Sequence, residues 1–388
     1  MKIGIVFPAV EYGGQEKNLV LLSNELYKKN KYDLEILSYG NKNFTTATIN
    51  PNIKRINLTL KGIKFVIINL LISLITNGMV KMYLKSSVKI AGYLITNKYN
   101  TLICFQAGGL ISFLKILTMS KTKIITREST SPISMTKIQK SPFFYSFRIN
   151  LKKFFYNFSD LIIANSNGSK NEINNLLKKD KAIQINNICD FSNTKVISAT
   201  KFDPIFKSST KKLITVGRLN ATKRVDILLK ATKKILETHN VDLIVVGEGP
   251  EKHKLKKIAK DLNISEKVHF IGFSDEIHNW IANSDVYVSA SIVEGSPNSI
   301  IESVCLGTPV VAADCNYGPK EILNNGKIGI LVPINNTPKM IKSINNILDN
   351  EELRKELGKL SKKQKSNYSA DKISELYIKE ITKLNEIN

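Results

Sequence analysis

Short β-branched runs alternate with stretches of helical periodicity along nearly the whole chain. KIGIVF leads into EKNLVLLSNELYKK and then DLEILSY, and NTLICFQ, KIITRE and DLIIANS follow with helical stretches between them. Strands that are apolar at successive positions must be covered on both faces, and helices alternating with them supply the cover. The alternation therefore predicts parallel, doubly wound α/β sheets. It breaks in the irregular tract 197–212 (ISATKFDPIFKSSTKK) and restarts at LITVGRL, followed by VDLIVVG, VHFIGF, DVYVSAS, PVVAAD and GILVP. The tract reads as an interdomain linker. The expected organisation is one Rossmann-like unit over residues 1–200, a second over 201–370, and an amphipathic helix in 371–388; a chain of 388 residues is long enough for two cores of this kind.

In open α/β sheets ligands bind outside the carboxyl ends of the strands, so the loops that follow strands hold the candidate chemistry. The first such loop carries Gly13-Gly14-Gln15-Glu16 just before a helix. Paired glycines let backbone N–H groups approach an anion and the helix N-terminus adds partial positive charge, although the same pair serves equally as a tight turn. In VGRLNATKR, Arg218 follows a strand directly and Lys223 comes five residues later. Two cations at one strand end suit a diphosphate, the guanidinium as a fork and the ammonium as a point charge. Gly247-Glu248-Gly249 also follows a strand but lacks the third glycine of a dinucleotide fingerprint, and the sequence contains neither D-x-D nor G-x-x-x-x-G-K-S/T.

The stretch 291–303, SIVEGSPNSIIES, places Glu294 in a Gly-Pro turn and Glu302 eight residues later in an apolar run. On one ideal helix that spacing would leave the carboxylates about 12 Å apart, too far to share a proton. Ser296 as N-cap with Pro297 at the first helical position instead puts Glu294 before the helix and Glu302 within it. The N–H groups around Ser299 would then face a phosphate, with one carboxylate on each side accepting hydrogen bonds from hydroxyls. Two acceptors bracketing an anion suit a sugar nucleotide; by itself the spacing also occurs on solvated helix faces.

Charge sets the remaining bounds. Lysine and arginine number 57 against 33 acidic residues, and residues 1–200 hold 28 of the basic and only 10 of the acidic ones. Such a field favours an anionic membrane surface, a phosphorylated substrate or nucleic acid, and compositional drift toward lysine and asparagine would produce it as well. No RNP-type aromatic motif or zinc-finger spacing supports nucleic acid. The N-terminal run MKIGIVFPAV reads as a strand, not a signal peptide. The greasiest segment, 63–75, is interrupted by Lys64 and Asn69 and is too short to cross a bilayer, while Lys81, Lys85 and Lys89 after it form a stripe able to rest on anionic headgroups. Cys104, Cys189, Cys305 and Cys315 lack paired spacing and read as reduced core thiols of a cytosolic protein.

G-G-x-E, V-G-R-L with its downstream lysine, V-V-G-E-G-P, F-I-G-F, S-x-x-E-G-x-P-x-x-x-x-E, G-T-P-V-V-A and G-I-L-V-P occur here in that order. Together they resemble the retaining glycosyltransferases of family 4, strongly over residues 213–333 and thinly over 40–160. The resemblance implies the GT-B fold, two doubly wound Rossmann-like domains facing a central cleft, with the last helix packing back on the N-terminal domain. It implies Arg218 and Lys223 as the diphosphate clamp of a nucleotide-sugar donor, Glu302 on the ribose hydroxyls, and Glu294 with the backbone of Gly295, Ser296, Pro297 and Asn298 on the donor sugar. The backbone at Gly272 would read the base, and Gly13 and Gly14, with Glu16 beside them, would close on phosphates and acceptor. No cofactor and no metal are expected, the two cations taking the metal's electrostatic part.

The resemblance departs from its pattern at one point. Many relatives carry an N-domain histidine near the reacting sugar, whereas His239, His253, His269 and His278 all fall in the second half. Arg127 and Glu128 of IITREST are the expected replacements on donor phosphate or acceptor, with a structural ion pair as the alternative. The stretch 314–323, DCNYGPKEIL, resembles a subgroup that assembles bacterial surface polysaccharides from UDP-linked hexosamines or galactose; there Gly318 would shape the sugar pocket and Glu321 would accept a hydroxyl. The implied acceptor is a lipid-diphosphate-linked oligosaccharide, and the implied location is the cytoplasmic face of an anionic inner membrane. Two alternatives stand beside this: a GT-B enzyme with a soluble acceptor, and a basic membrane- or nucleic-acid-binding relative without catalysis. Intact Arg218, Lys223, Glu294 and Glu302 weigh against the second.

Overall fold

A computed structural model describes residues 1–8, 13–39, 49–58, 92–93, 96, 98–105, 108–134, 145–191 and 196–386. The apolar segment 63–75 and the stripe of Lys81, Lys85 and Lys89 lie outside the described residues. The chain divides into two compact units, residues 1–188 with 370–388, and residues 189–369.

The first unit is built on a parallel sheet in the order β3-β2-β1-β4-β5-β6-β7: β1 Lys2–Pro8, β2 Asp33–Tyr39, β3 Lys54–Asn57, β4 Thr101–Phe105, β5 Lys123–Glu128, β6 Leu161–Ala164 and β7 Ala182–Gln184. β4 and β6 are buried at every position, as a sheet covered on both faces demands. The helix Gly14–Lys28 turns Leu19, Leu22 and Leu26 inward at helical spacing. The last helix, Ala370–Glu386, belongs to this unit: Ile373, Tyr377 and Ile381 enter its core, Lys29 pairs with Asp371 at 2.6 Å, and Asn385 donates to Thr101 Oγ1 at 2.8 Å.

The second unit is a parallel sheet in the order β10-β9-β8-β11-β12-β13, with β8 Lys211–Val216, β9 Val241–Val246, β10 Val268–Gly272, β11 Val286–Ser289, β12 Val310–Ala313 and β13 Ile330–Val332. The strand order reverses between β8 and β11. At such a switch point the loops leaving neighbouring strands diverge and open a crevice.

The tract 197–212 does not behave as a linker. It forms a short helix, Ala199–Phe202, and a 3-10 turn, Pro204–Lys207, before entering β8. Phe202 and Phe206 stack on Trp280 with ring centroids 4.9 and 5.7 Å away, so two aromatics in a polar stretch fix it to the second unit. The boundary accordingly falls near residue 189, where the Cys189 N–H donates to the Tyr368 carbonyl at 2.8 Å. All four cysteines are free and buried, and burial, followed by the nearby Glu294, pushes the Cys315 thiol up to about 12.

Candidate active site

The crevice at the switch point of the second unit is lined by Thr215, Val216, Gly217, Arg218, Leu219, Lys223, Val225, Tyr287, Ser289 and Ser291. Arg218 and Lys223 therefore open on the same concavity. Arg218 is exposed. Lys223 reaches it from a 3-10 turn, Ala221–Lys223, which the Asn220 side chain caps by accepting from the Lys223 N–H at 3.2 Å.

Backbone packing holds these loops in place. Gly217 has φ +153°, and a Cβ there would meet the Lys223 side chain at 3.4 Å, so the lysine stem lies directly over the strand end. A Cβ on Gly247, φ +134°, would fall 2.0 Å from the Gly217 carbonyl oxygen. The Gly217 N–H donates to the Val246 carbonyl at 3.0 Å and the Leu219 N–H to that of Glu248 at 2.9 Å. The incomplete fingerprint Gly247-Glu248-Gly249 thus braces the Arg218 loop. Gly272, with φ +83° at the end of β10, accepts from the Gly247 N–H at 2.7 Å and so joins the same brace.

Lys223 Nζ donates to Glu294 Oε1 at 2.5 Å, with both side chains mostly covered. The sequence assigned these residues to different parts of a ligand; the structure makes them a charge-assisted pair. Glu294 is fixed through its own backbone, donating to the Asn316 carbonyl and accepting from the Tyr317 N–H, each at 3.1 Å. Its loop is tied to the lysine turn by the Ile292 N–H, 2.9 Å from the Thr222 carbonyl. Gly318 lets the two loops touch, since a Cβ there would sit 2.5 Å from the Gly295 carbonyl oxygen and 2.7 Å from Pro297 Cδ. Glu321, on the short helix Gly318–Ile322, is exposed.

The helix expected after Ser296 starts one residue later. It runs Asn298–Leu306 with extended Pro297 at the cap position and no side-chain cap, because proline offers the extended entry but no oxygen on its side chain. Its first turn meets β11: the Tyr287 hydroxyl donates to Ser299 Oγ at 2.6 Å. Burial, then the fields of Glu294 and Glu302, hold the Tyr287 phenol above its ordinary range. Tyr287 was not legible as a site residue, since V-Y-V-S reads only as a buried strand. Glu302 lies inside the helix at 3% exposure, 3.7 Å from His278 Nε2, whose ring packs on Phe191.

In the first unit Gly13 is the extended cap residue of helix Gly14–Lys28, Gly14 is exposed, and Glu16 is buried in the first turn. Arg127 is 2% exposed and donates to Asn187 Oδ1 at 2.8 Å and to the Ile163 carbonyl at 3.4 Å. A guanidinium enclosed in this way is an interior group of the unit, and the expected phosphate contact finds no support in its geometry. Glu128, on the opposite face of β5, is partly exposed; burial raises its carboxyl, opposed by Lys152 and a hydrogen bond from Tyr156. Among the described residues no group of His, Cys, Asp and Glu could hold a metal ion.

Residues 197–364 match the family model of the glycosyl transferases group 1. A Campylobacter jejuni N-acetylgalactosamine-N,N'-diacetylbacillosaminyl-diphospho-undecaprenol 4-alpha-N-acetylgalactosaminyltransferase is 30% identical over 61% of this chain and 63% of its own. The Erwinia amylovora amylovoran biosynthesis glycosyltransferase AmsD is 26% identical over 58% of this chain and 62% of its own. The matched stretches thus span about three fifths of these curated relatives. Anabaena Alr3699/HepE in complex with UDP-glucose superposes with a TM-score of 0.80 over 99% of this chain and 100% of that one, at 17% identity, which shows a shared fold. The fold is GT-B.

Proposed function

We propose, from the premise that residues 197–364 form a group 1 glycosyl transferase domain in a chain of GT-B fold, that this protein is a retaining glycosyltransferase. It moves a hexose or N-acetylhexosamine from a UDP-sugar to a lipid-diphosphate-linked oligosaccharide in the assembly of a cell-surface polysaccharide or glycan. The reading rests above all on Arg218 and the Lys223–Glu294 pair at the crevice between β8 and β11. The diphospho-undecaprenol acceptor named for the Campylobacter relative supports the lipid-diphosphate acceptor, and the UDP-glucose in the Anabaena structure supports the donor class.

In this reading Arg218 and Lys223 bind the two phosphates and stabilise the charge that grows on the leaving nucleoside diphosphate. Glu294 holds the ammonium in place and offers its second oxygen to a donor-sugar hydroxyl. Glu302 receives the ribose hydroxyls. The anomeric carbon becomes oxocarbenium-like as its bond to the phosphate oxygen breaks. The acceptor oxygen attacks from the face the phosphate leaves, and that phosphate takes the acceptor proton, so the anomeric configuration is retained. Because two fixed cations carry the counter-charge, no resident metal is assigned.

The test is hydrolysis of a panel of nucleotide sugars without acceptor, with and without a chelator, followed by NMR of the released sugar. Slow, chelator-insensitive hydrolysis of one UDP-hexose or UDP-N-acetylhexosamine to the retained anomer is expected. Inversion of the anomer, or hydrolysis that stops on chelation, would contradict the proposal.

A further inference from the structure

We propose that the first unit carries a membrane-docking face for anionic lipid, formed by the helix Gly108–Leu117 with the turn after it and the helix Tyr145–Tyr156. Phe113 of the first helix packs against Phe154 and Phe158, with ring centroids 5.6 and 5.2 Å away, so the two segments form one surface. That surface leaves large apolar side chains in water: Met119 is 91% exposed, Ile116 53%, Phe154 48% and Phe147 47%. Phe147 and Phe154 lie two turns apart on one helix face, and on the other helix Ile116 follows Phe113 by three residues.

Met119 adds a local argument. It closes its helix at φ +51°, its N–H donating to the Ile116 carbonyl at 3.1 Å, a position where glycine or asparagine is the low-strain choice. A fully exposed methionine there gains nothing from the fold and a great deal from an apolar layer outside it.

Charge selects the occupant. Residues 108–123 and 145–158 hold six lysines and arginines and no acidic residue. Of the six, Lys115 is paired with Asp160, Lys152 donates to the Pro132 carbonyl at 3.1 Å, Arg148 is buried and Lys123 opens β5, so Lys121 and Lys153, close in sequence to Met119 and Phe154, form the rim. Aromatic and methionine side chains inside a basic rim match the headgroup and upper acyl region of an anionic bilayer. An acidic protein partner would satisfy the rim but not the projecting Met119 and Ile116. In placing the enzyme beside a lipid-linked acceptor the inference rests on the reading above; lipid binding itself needs neither donor nor acceptor.

Co-sedimentation of the full chain with phosphatidylcholine vesicles, with and without phosphatidylglycerol, tests it. Wild type should bind the anionic vesicles, less well at high salt. An Ile116→Ser, Phe147→Ser, Met119→Ser triple variant, which spares the Phe113–Phe154 packing, should bind about tenfold more weakly, with thermal melting within a few degrees of wild type. Lys121→Glu with Lys153→Glu, which leaves the apolar residues intact, should lose the preference for phosphatidylglycerol. No binding of wild type, equal binding by the triple variant, or a triple variant that alters only self-association would overturn the proposal. Vesicle binding without sugar transfer would sink the activity and leave the face standing.

Discussion

Lys223 and Glu294 show how one contact can join two roles that the sequence keeps apart. Nothing in a separation of 71 residues announces the 2.5 Å pair, whereas each residue's place after an apolar strand is readable from its neighbours. Glu294→Gln keeps the shape and a hydrogen-bond acceptor but removes the negative charge opposite the diphosphate. UDP affinity measured by calorimetry should hold or improve, while UDP-sugar hydrolysis falls about tenfold or more. Glu35 gives the pH dependence of the first unit. Burial pushes its carboxyl up, but the Tyr99 hydroxyl and the ammonium groups of Lys54 and Lys2 outweigh that and hold it below its ordinary value of 4.5. A depressed folded-state pKa stabilises above the unfolded value and is lost as pH falls through the folded one. Glu35→Gln should therefore lower the melting temperature at pH 7 and flatten the loss of stability in acid, a comparison that thermal melts across pH 3 to 7 will make.

At the scale of elements, most strands were legible because parallel strands buried on both faces are continuous apolar runs, as in VDLIVV and LIIA. Two misreadings have physical causes. The tract 197–212 looked like a linker because its anchors, Phe202 and Phe206, are isolated among polar residues and find Trp280 only in three dimensions. The helix after Pro297 begins one residue late because an extended proline takes the cap position in place of Ser296. The touching backbones of the 294–297 and 316–318 loops were likewise invisible, since a glycine in sequence does not say which backbone it admits. Gly318→Ala puts a Cβ 2.5 Å from the Gly295 oxygen. A destabilisation of about 2 kcal/mol and a larger proportional loss of donor hydrolysis are expected, readable from denaturant unfolding and the hydrolysis assay. An unaltered hydrolysis rate would mean that this loop contact does not shape the sugar site.

At the scale of the whole molecule, two successive parallel sheets and the return of the last helix to the first unit follow from alternation and resemblance, and the boundary shifts from near 200 to near 189. Arg218, Lys223 and Glu294 could be named as candidates from sequence because they follow strand ends, and Glu302 because it falls in the helix after Pro297. For Arg127 the sequence left a phosphate contact and a structural role side by side, because the end of β5 reads the same whether its side chain turns inward or outward; its bonds to Asn187 and the Ile163 carbonyl are of the structural kind. The charge carried by residues 1–200 was legible as a total, but the two helices that pair basic residues with exposed Phe147, Phe154 and Met119 needed the fold to bring them together. The central claim is that the crevice of the second unit grips a nucleoside diphosphate through two cations, and calorimetric titration of UDP into wild type, Arg218→Ala and Lys223→Ala tests it most directly. Each variant should bind UDP at least about tenfold more weakly than wild type without unfolding. UDP binding that is equally tight in both variants and in wild type would contradict the account.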